Sequence, residues 1–205
     1  MSTKSKLGAV RTDGFRAVAA MVALMWVVEA VDAIDRHRLD ADGGIRPRQL
    51  SGLAGIVFAP FLHANLGHLL ANTVPFVVLG LTIALEGALR VLAITAIVAV
   101  VAGLGTWLVA PDATVTIGAS GVVFGYAAYL IGRGLFSRRA GQLAIGVVVG
   151  LLFGGALLSS LIPRTGISWQ DHLFGAIGGL LAARLLAERS RRLRAATPRA
   201  PLTPL

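Results

Sequence analysis

The chain has 205 residues, 56% of them hydrophobic and only 14% charged, with a mean hydropathy of +0.77. A soluble domain carries charge at about a quarter of its positions, so a water-soluble class is excluded. The formal charge of +9 does not argue for nucleic acid: the basic residues sit in short flanks with no aromatic-interleaved groove, a pattern of cytoplasmic ends meeting anionic lipid.

In chain order, residues 1–14 form a basic N-terminal tail (Lys4, Lys6, Arg11) before a first span at 15–34. That apolar run exceeds the roughly 7–15 residues of a signal-peptide core, and no small-residue cleavage site follows cleanly. The span is therefore expected to be retained. A long extracytoplasmic loop, 35–62, follows, and its semi-apolar part from Pro47 to Pro60 is expected to lie in the membrane interface. Four runs then lack Asp, Glu, Lys and Arg altogether: Leu66–Leu85, Val91–Ala110, Ala113–Gly132 and Leu143–Pro163. Each has the ~20 residues needed to cross a bilayer. They give spans at 66–85, 89–110, 118–134 and 143–162, and a sixth follows at 171–186. Residues 187–205 close the chain as a basic tail, disordered over 195–205, where Pro, Ala and Thr abound. Cysteine is absent, which removes disulfides, thiolate metal sites and a cysteine nucleophile.

Topology follows from the arginines. Arg90 after the second span, Arg133, Arg138 and Arg139 after the fourth, and the arginines of the tail share one side with the N-tail. The loop Pro111-Asp112-Ala113-Thr114 has no basic residue, so both termini are expected in the cytoplasm. Arg36, Arg38, Arg46 and Arg48 in the first loop are the exception. The predicted class is an all-α membrane protein of six transmembrane helices, without repeats or a second domain. Lys4 and Lys6 are the only lysines among 19 basic residues, and with abundant Ala and Gly this suggests a GC-rich bacterium and its plasma membrane.

Three polar clusters interrupt the apolar spans, and polar groups at membrane depth tend to be functional. His68 and Asn72 lie four apart on the second span, hence on one helix face. Gly118-Ala119-Ser120-Gly121 opens the fourth span, and Asp171-His172 opens the sixth. Singly, each reads as interhelical hydrogen bonding or as small-residue packing. Together they supply a serine, a histidine able to take its proton, and donors for an oxyanion in His68, Asn72 and the Ser120 amide at a helix N-terminus. Gly121 and Gly125 follow the serine; Gly175 and Gly179 follow the histidine. Both pairs are small-xxx-small motifs that let backbones approach closely, which would bring Ser120 and His172 within reach. Gly146, on the fifth span, is assigned to no catalytic contact. Asp171 is expected to cap its own helix, because neighbouring positions point about 100° apart. Glu29, Asp32 and Asp35, three apart, are read as an outer-end polar face.

These motifs resemble the signatures of the rhomboid intramembrane serine proteases: Gly-x-Ser-Gly at 118–121, His-x-x-x-Asn at 68–72, and His-x-x-Gly-x-x-x-Gly at 172–179. They stand in the family's order and on its expected spans. His63 also resembles a histidine often found there. Gly44 to Arg48 and the following Ala-Pro-Phe-Leu-His resemble a bacterial subgroup. The similarity covers roughly Gly44 to Ala183. The resemblance implies a six-helix rhomboid-like bundle and a Ser120–His172 dyad without an acidic third member. It also implies an active site in a water-filled cavity below the outer surface, and single-pass membrane proteins as substrates. No metal or cofactor would be needed; the bilayer is a partner and nucleic acid is not, and the oligomeric state is left open. Gly118 supports the serine loop. Phe124 stands where Tyr is frequent, keeping an aromatic beside the imidazole, and the Trp-Arg pair common in the first loop is missing. Two rival classes are a metalloprotease, which lacks a His-Glu-x-x-His motif, and a non-enzyme. The latter would be a catalytically inactive rhomboid-like binding protein, or a small transporter, whose paired broken helices are not found.

Overall fold

The computed structural model describes residues 3–137 and 139–196. Among them there is no strand, and two isolated antiparallel bridges join Ile45 to Thr116 and Arg164 to Ile167. Six long helices carry the fold: α1 Thr3–Ile34, α2 Leu66–Ala84, α3 Ala88–Val109, α4 Ser120–Ser137, α5 Ala140–Ser159 and α6 Trp169–Ala196. Short helical turns at Arg38–Gly43 and within Leu50–Phe61 fold the first loop.

Among the described residues three segments are long and apolar enough to cross a membrane: Gly8–Ile34 within α1, all of α2, and all of α3. The apolar part of α5, Ala140–Ala156, is shorter. Helix α4 is different in kind. Every residue from 121 to 130 is buried, so this stretch meets protein on all sides; it combines glycine, alanine and valine with Phe124, Leu130 and two tyrosines. It packs most extensively on α6, with α5 against another face, while α3 also lies along α6. Phe76 and Leu79 of α2, Ile94 and Val98 of α3, and Tyr126, Tyr129 and Leu130 of α4 share one buried core. The Tyr126 hydroxyl, buried there, finds its partner in Thr95 Oγ1 at 2.5 Å. Leu89 on α3 and Leu151, Leu152 and Leu158 on α5 point outward, as a lipid-facing surface requires and an aqueous one does not.

The helix ends depart from the sequence reading. Helix α1 starts at Thr3, so residues 3–14, expected as a tail before the span, are already helical. Helix α6 runs to Ala196 and takes in residues expected to be tail. Leu, Ala, Arg and Glu dominate its last turns, and all are strong helix formers. The rest of the predicted disordered stretch, 197–205, lies outside the described residues.

The two ends of the bundle are pinned differently. At one end Glu86, in the α2–α3 turn, pairs with Arg90 at 3.1 Å and with Arg133 near the end of α4. At the other end the first loop is fastened to the chain that carries the candidate serine. Ile45 and Thr116 exchange backbone hydrogen bonds at 2.9 and 3.0 Å. The Arg48 guanidinium donates to the Leu108 carbonyl at 2.9 Å, to the Ala110 carbonyl at 2.7 Å, and through Nε to Asp112 at 2.7 Å. It thereby satisfies carbonyls that α3 leaves unpaired at its C-terminal end. The Trp107 indole of α3 donates to the Gln49 carbonyl at 2.8 Å. The loop without a Trp-Arg pair is thus held by an arginine of its own and a tryptophan from α3. Nearer α1, the turn at Arg38–Gly43 sets Asp40 beside Asp32. Burial first, and then that neighbouring carboxylate, push the Asp40 carboxyl up to about 7.

Candidate active site

The segment before α4 is shaped by glycine. Gly118 has φ +112°, a left-handed region that other residues occupy at a cost. An added Cβ there would also lie 2.7 Å from His68 Nε2 and 3.4 Å from Asn72 Nδ2. Its amide donates to the Ala59 carbonyl at 2.8 Å. The sequence reading put the start of the fourth span at Gly118; the helix starts at Ser120 instead, because the strained turn belongs outside it. Ser120 is the first helical residue and is half-buried, and the positive end of the α4 dipole lies under its amide.

Around this turn the polar residues of α2 converge. Asn65 caps α2, its side chain accepting from the His68 amide at 2.9 Å. One turn on, Asn72 is 5% exposed, and its Nδ2 has no hydrogen-bond partner. The His68 ring meets His63 edge-on, with centroids 5.1 Å apart. His63, fully buried, accepts weakly from the Ala119 amide through Nε2 at 3.5 Å.

His172 lies one turn into α6 and is buried. Its ring stacks on Phe124, with centroids 4.0 Å apart and planes 7° from parallel. Its Nδ1 faces the Ser160 carbonyl, between α5 and α6, at 3.4 Å. A carbonyl can only accept, so this contact selects the tautomer with the proton on Nδ1 and leaves Nε2 as the basic nitrogen. Among the described residues no hydrogen bond joins Ser120 to His172. Catalytic hydrogen bonds are often long or misaligned in the absence of substrate.

Asp171 corrects one expectation. The cap of α6 is Ser168, whose Oγ accepts from the Asp171 amide at 3.3 Å. Asp171 itself is buried, and the groups facing its carboxyl are the Gly121 amide and the Thr106 and Ser120 hydroxyls. It therefore serves the N-terminus of α4, where amides lack intrahelical partners, and not that of its own helix. Thr106 Oγ1, though near it, has no partner of ordinary hydrogen-bond geometry.

The glycines explain how α4 and α6 come so close. A Cβ on Gly175 would lie 2.2 Å from the Gly121 carbonyl oxygen, and one on Gly179 would lie 2.0 Å from that of Gly125. A Cβ on Gly121 would meet Asp171 Oδ2 at 2.4 Å, and one on Gly125 would meet Val98 Cγ1 at 2.2 Å. Gly146, assigned to no catalytic contact, is nevertheless not free space: its Cβ would lie 3.2 Å from Ile131 Cα of α4. Among these contacts the sequence did not disclose the Ser160 carbonyl, the Ser168 cap or Thr106. Only Ser168, a serine three residues before an acid at a helix start, carried a recognisable signal.

Residues 50–189 match the family described as Rhomboid domain. An uncharacterized protein of Mycobacterium tuberculosis is 44% identical over 190 residues, which covers 89% of this chain and 79% of that one. An uncharacterized protein of Mycobacterium leprae is 44% identical over 186 residues, 87% of this chain and 73% of its own. YdcA of Bacillus subtilis, whose name provisionally assigns it to the rhomboid proteases, is 29% identical over 133 residues, 64% of this chain and 66% of YdcA.

Proposed function

Since the chain belongs to the rhomboid family, we propose that it is an intramembrane serine endopeptidase of a bacterial plasma membrane. It has six spans and two cytoplasmic termini, and it cuts single-pass membrane proteins. Ser120 Oγ attacks the scissile carbonyl while His172 Nε2 takes its proton. The tetrahedral oxyanion is received by Asn72 Nδ2, His68 and the Ser120 amide. Collapse expels the new amine, which takes its proton from His172, and water then releases the acyl group from Ser120 by the same route. The Ser160 carbonyl and Phe124 hold the imidazole in the required tautomer and plane, in place of a triad acid.

The observation that carries this reading is the Asn72 amide. A buried donor without an acceptor is destabilising by roughly 1–3 kcal/mol, and few native side chains are left so. Nδ2 faces the turn at Gly118, two residues before the serine, where an oxyanion would form. The unpaired donor is thus in place before any substrate arrives.

A fluorophosphonate probe tests the serine directly. The folded protein in detergent is expected to take up one label, on Ser120, and lose it on prior heating. Absence of any labelled serine in folded protein would count against the mechanism at its first step. Asn72→Ala separates the donor from the nucleophile. Cleavage of a model single-span substrate should fall about 10²–10³-fold, the usual loss for one oxyanion donor, while the labelled Ser120 remains detectable. Wild-type turnover by both Asn72→Ala and His68→Ala at low substrate would reduce these side chains to packing groups.

A further inference from the structure

Away from the serine, at the outer end of α1, the side chains of Asp32, His37 and Asp40 converge so that one ligand atom from each lies within 4.8 Å of the others. His37 Nδ1 is 3.6 Å from Asp32 Oδ2 and 3.4 Å from Asp40 Oδ2. Donors bound to one zinc at about 2.0–2.2 Å in a tetrahedron stand about 3.4 Å apart, so the spacing suits a shared ion. Asp32 is 1% exposed and already anchored: its Oδ1 accepts from the Leu39 amide at 2.8 Å, and its Oδ2 accepts more weakly from the Asp40 amide at 3.3 Å. Such outer contacts orient a ligating carboxylate.

A second observation is independent of that cluster. Glu29, one helical turn below Asp32 on the same face, is 7% exposed, and its Oε2 has no hydrogen-bond partner. Its carboxyl is an electrostatic neighbour of His37, Asp32 and Asp40. Three carboxyls then gather with one imidazole as the nearby basic group among the described residues. Isolated buried carboxylates are strongly disfavoured unless paired or bound to metal. A solvent path exists, because the His37 side chain is 42% exposed.

We propose that Asp32, His37 and Asp40, with the unpaired Glu29 carboxyl one turn away, form a binding site for one divalent cation of the zinc class, which pins the first outer loop to the end of α1. A nitrogen donor among carboxylates suits zinc better than magnesium or calcium, which favour all-oxygen shells. The ion is structural and takes no part in peptide-bond hydrolysis. It fixes residues 37–40, and four residues further on Gly44 and Ile45 begin the stretch that pairs with Thr116 beside the serine loop. The site does not depend on the protease reading, and its test does not use activity.

The test uses the full chain in detergent without an oligohistidine tag, stripped with chelator and equilibrated with zinc chloride. About one zinc per chain is expected, with a rise in melting temperature. His37→Ala, which removes a partly exposed side chain, should weaken zinc binding by at least the roughly 10–100-fold seen on losing an outer-shell partner. Asp32→Asn and Glu29→Gln should do the same and lose the thermal shift. Asp35→Asn and Asp42→Asn, outside the cluster, should bind as wild type does. Equal zinc binding by wild type and His37→Ala would place the metal elsewhere, for example on His63 and His68, and would overturn the proposal. So would the absence of bound zinc, or displacement of zinc by equimolar calcium or magnesium.

Discussion

Ser120→Ala and His172→Ala are each expected to leave a model single-span substrate uncut, and the double variant to be no worse than either single one. The non-additivity is the informative part. In a nucleophile–base pair, losing either member disables the same step, so the two effects do not sum. The residual rate should then reflect only oxyanion donors and substrate positioning. Ser120→Ala removes one hydroxyl that faces the Asp171 carboxyl and no packing volume of consequence, so the fold should be retained. His172→Ala is less innocent. It deletes a buried ring that stacks on Phe124 at 4.0 Å, and a cavity of that kind is destabilising by some kcal/mol. His172→Gln fills more of the space without supplying a base of suitable pKa, so it should be equally inactive with a smaller loss of melting temperature. Robust cleavage by Ser120→Ala protein would end the serine-protease reading. An inactive Ser120→Ala beside an active His172→Gln would retain the nucleophile and require a different base.

The orientation of Ser120 gives this experiment an added edge. In a soluble triad an acid stands behind the histidine; here the carboxyl of Asp171 stands on the serine side, against the first amides of α4. The Ser160 carbonyl, not a carboxylate, meets His172 Nδ1. A neutral partner orients the ring without stabilising its protonated form as strongly as an anion would.

What the sequence disclosed and what it withheld divide along a physical line. The three polar motifs were legible because bilayer-depth polarity is conspicuous: His68, Asn72, Ser120 and His172 stand out against charge-free runs. The glycine pairs were legible because their i, i+4 spacing places them on one face. Features made by contacts between distant segments were not. Arg48 looked like an exception to the positive-inside pattern, yet it caps α3 across 60 residues of sequence at Leu108. Asp171 was assigned to its own helix by local reasoning, and the fold gives it to α4 instead. Glu29 and Asp32 were read as part of an outer-end polar face, yet they are 7% and 1% exposed, with the turn at residues 36–40 folded back beside them. That turn needs positive φ at Arg36 and His37, which no local propensity forecasts. The helical ends of α1 and α6 went unseen because hydropathy marks where lipid ends and not where helix ends.

Gly175→Val should produce the largest loss among changes that touch no reacting atom. The Cβ it adds would lie 2.2 Å from the Gly121 carbonyl oxygen and 3.1 Å from Gly121 Cα. The obstruction is backbone, which cannot swing aside as a side chain tip can, so α6 must move away from α4. Ser120 stands one residue before Gly121 and His172 three residues before Gly175, so this displacement is applied next to the proposed dyad. Overpacking of a tight contact destabilises by about 1–3 kcal/mol, and a shift near 1 Å at a catalytic pair can lower the rate by about 10²-fold. Melting temperature in detergent and cleavage rate should therefore fall together. Gly179→Val should do likewise, since its Cβ would lie 2.0 Å from the Gly125 carbonyl oxygen, though one turn further from the chemistry. Gly146 cannot serve as the neutral comparison, because its Cβ would press on α4 at Ile131. Gly154 on α5 can: a Cβ there meets nothing within 4 Å, and valine in its place adds apolar surface toward lipid. Gly154→Val should retain wild-type cleavage and stability. If Gly175→Val cleaves as fast as Gly154→Val, the α4–α6 approach does not set the dyad distance, and the glycines serve packing alone.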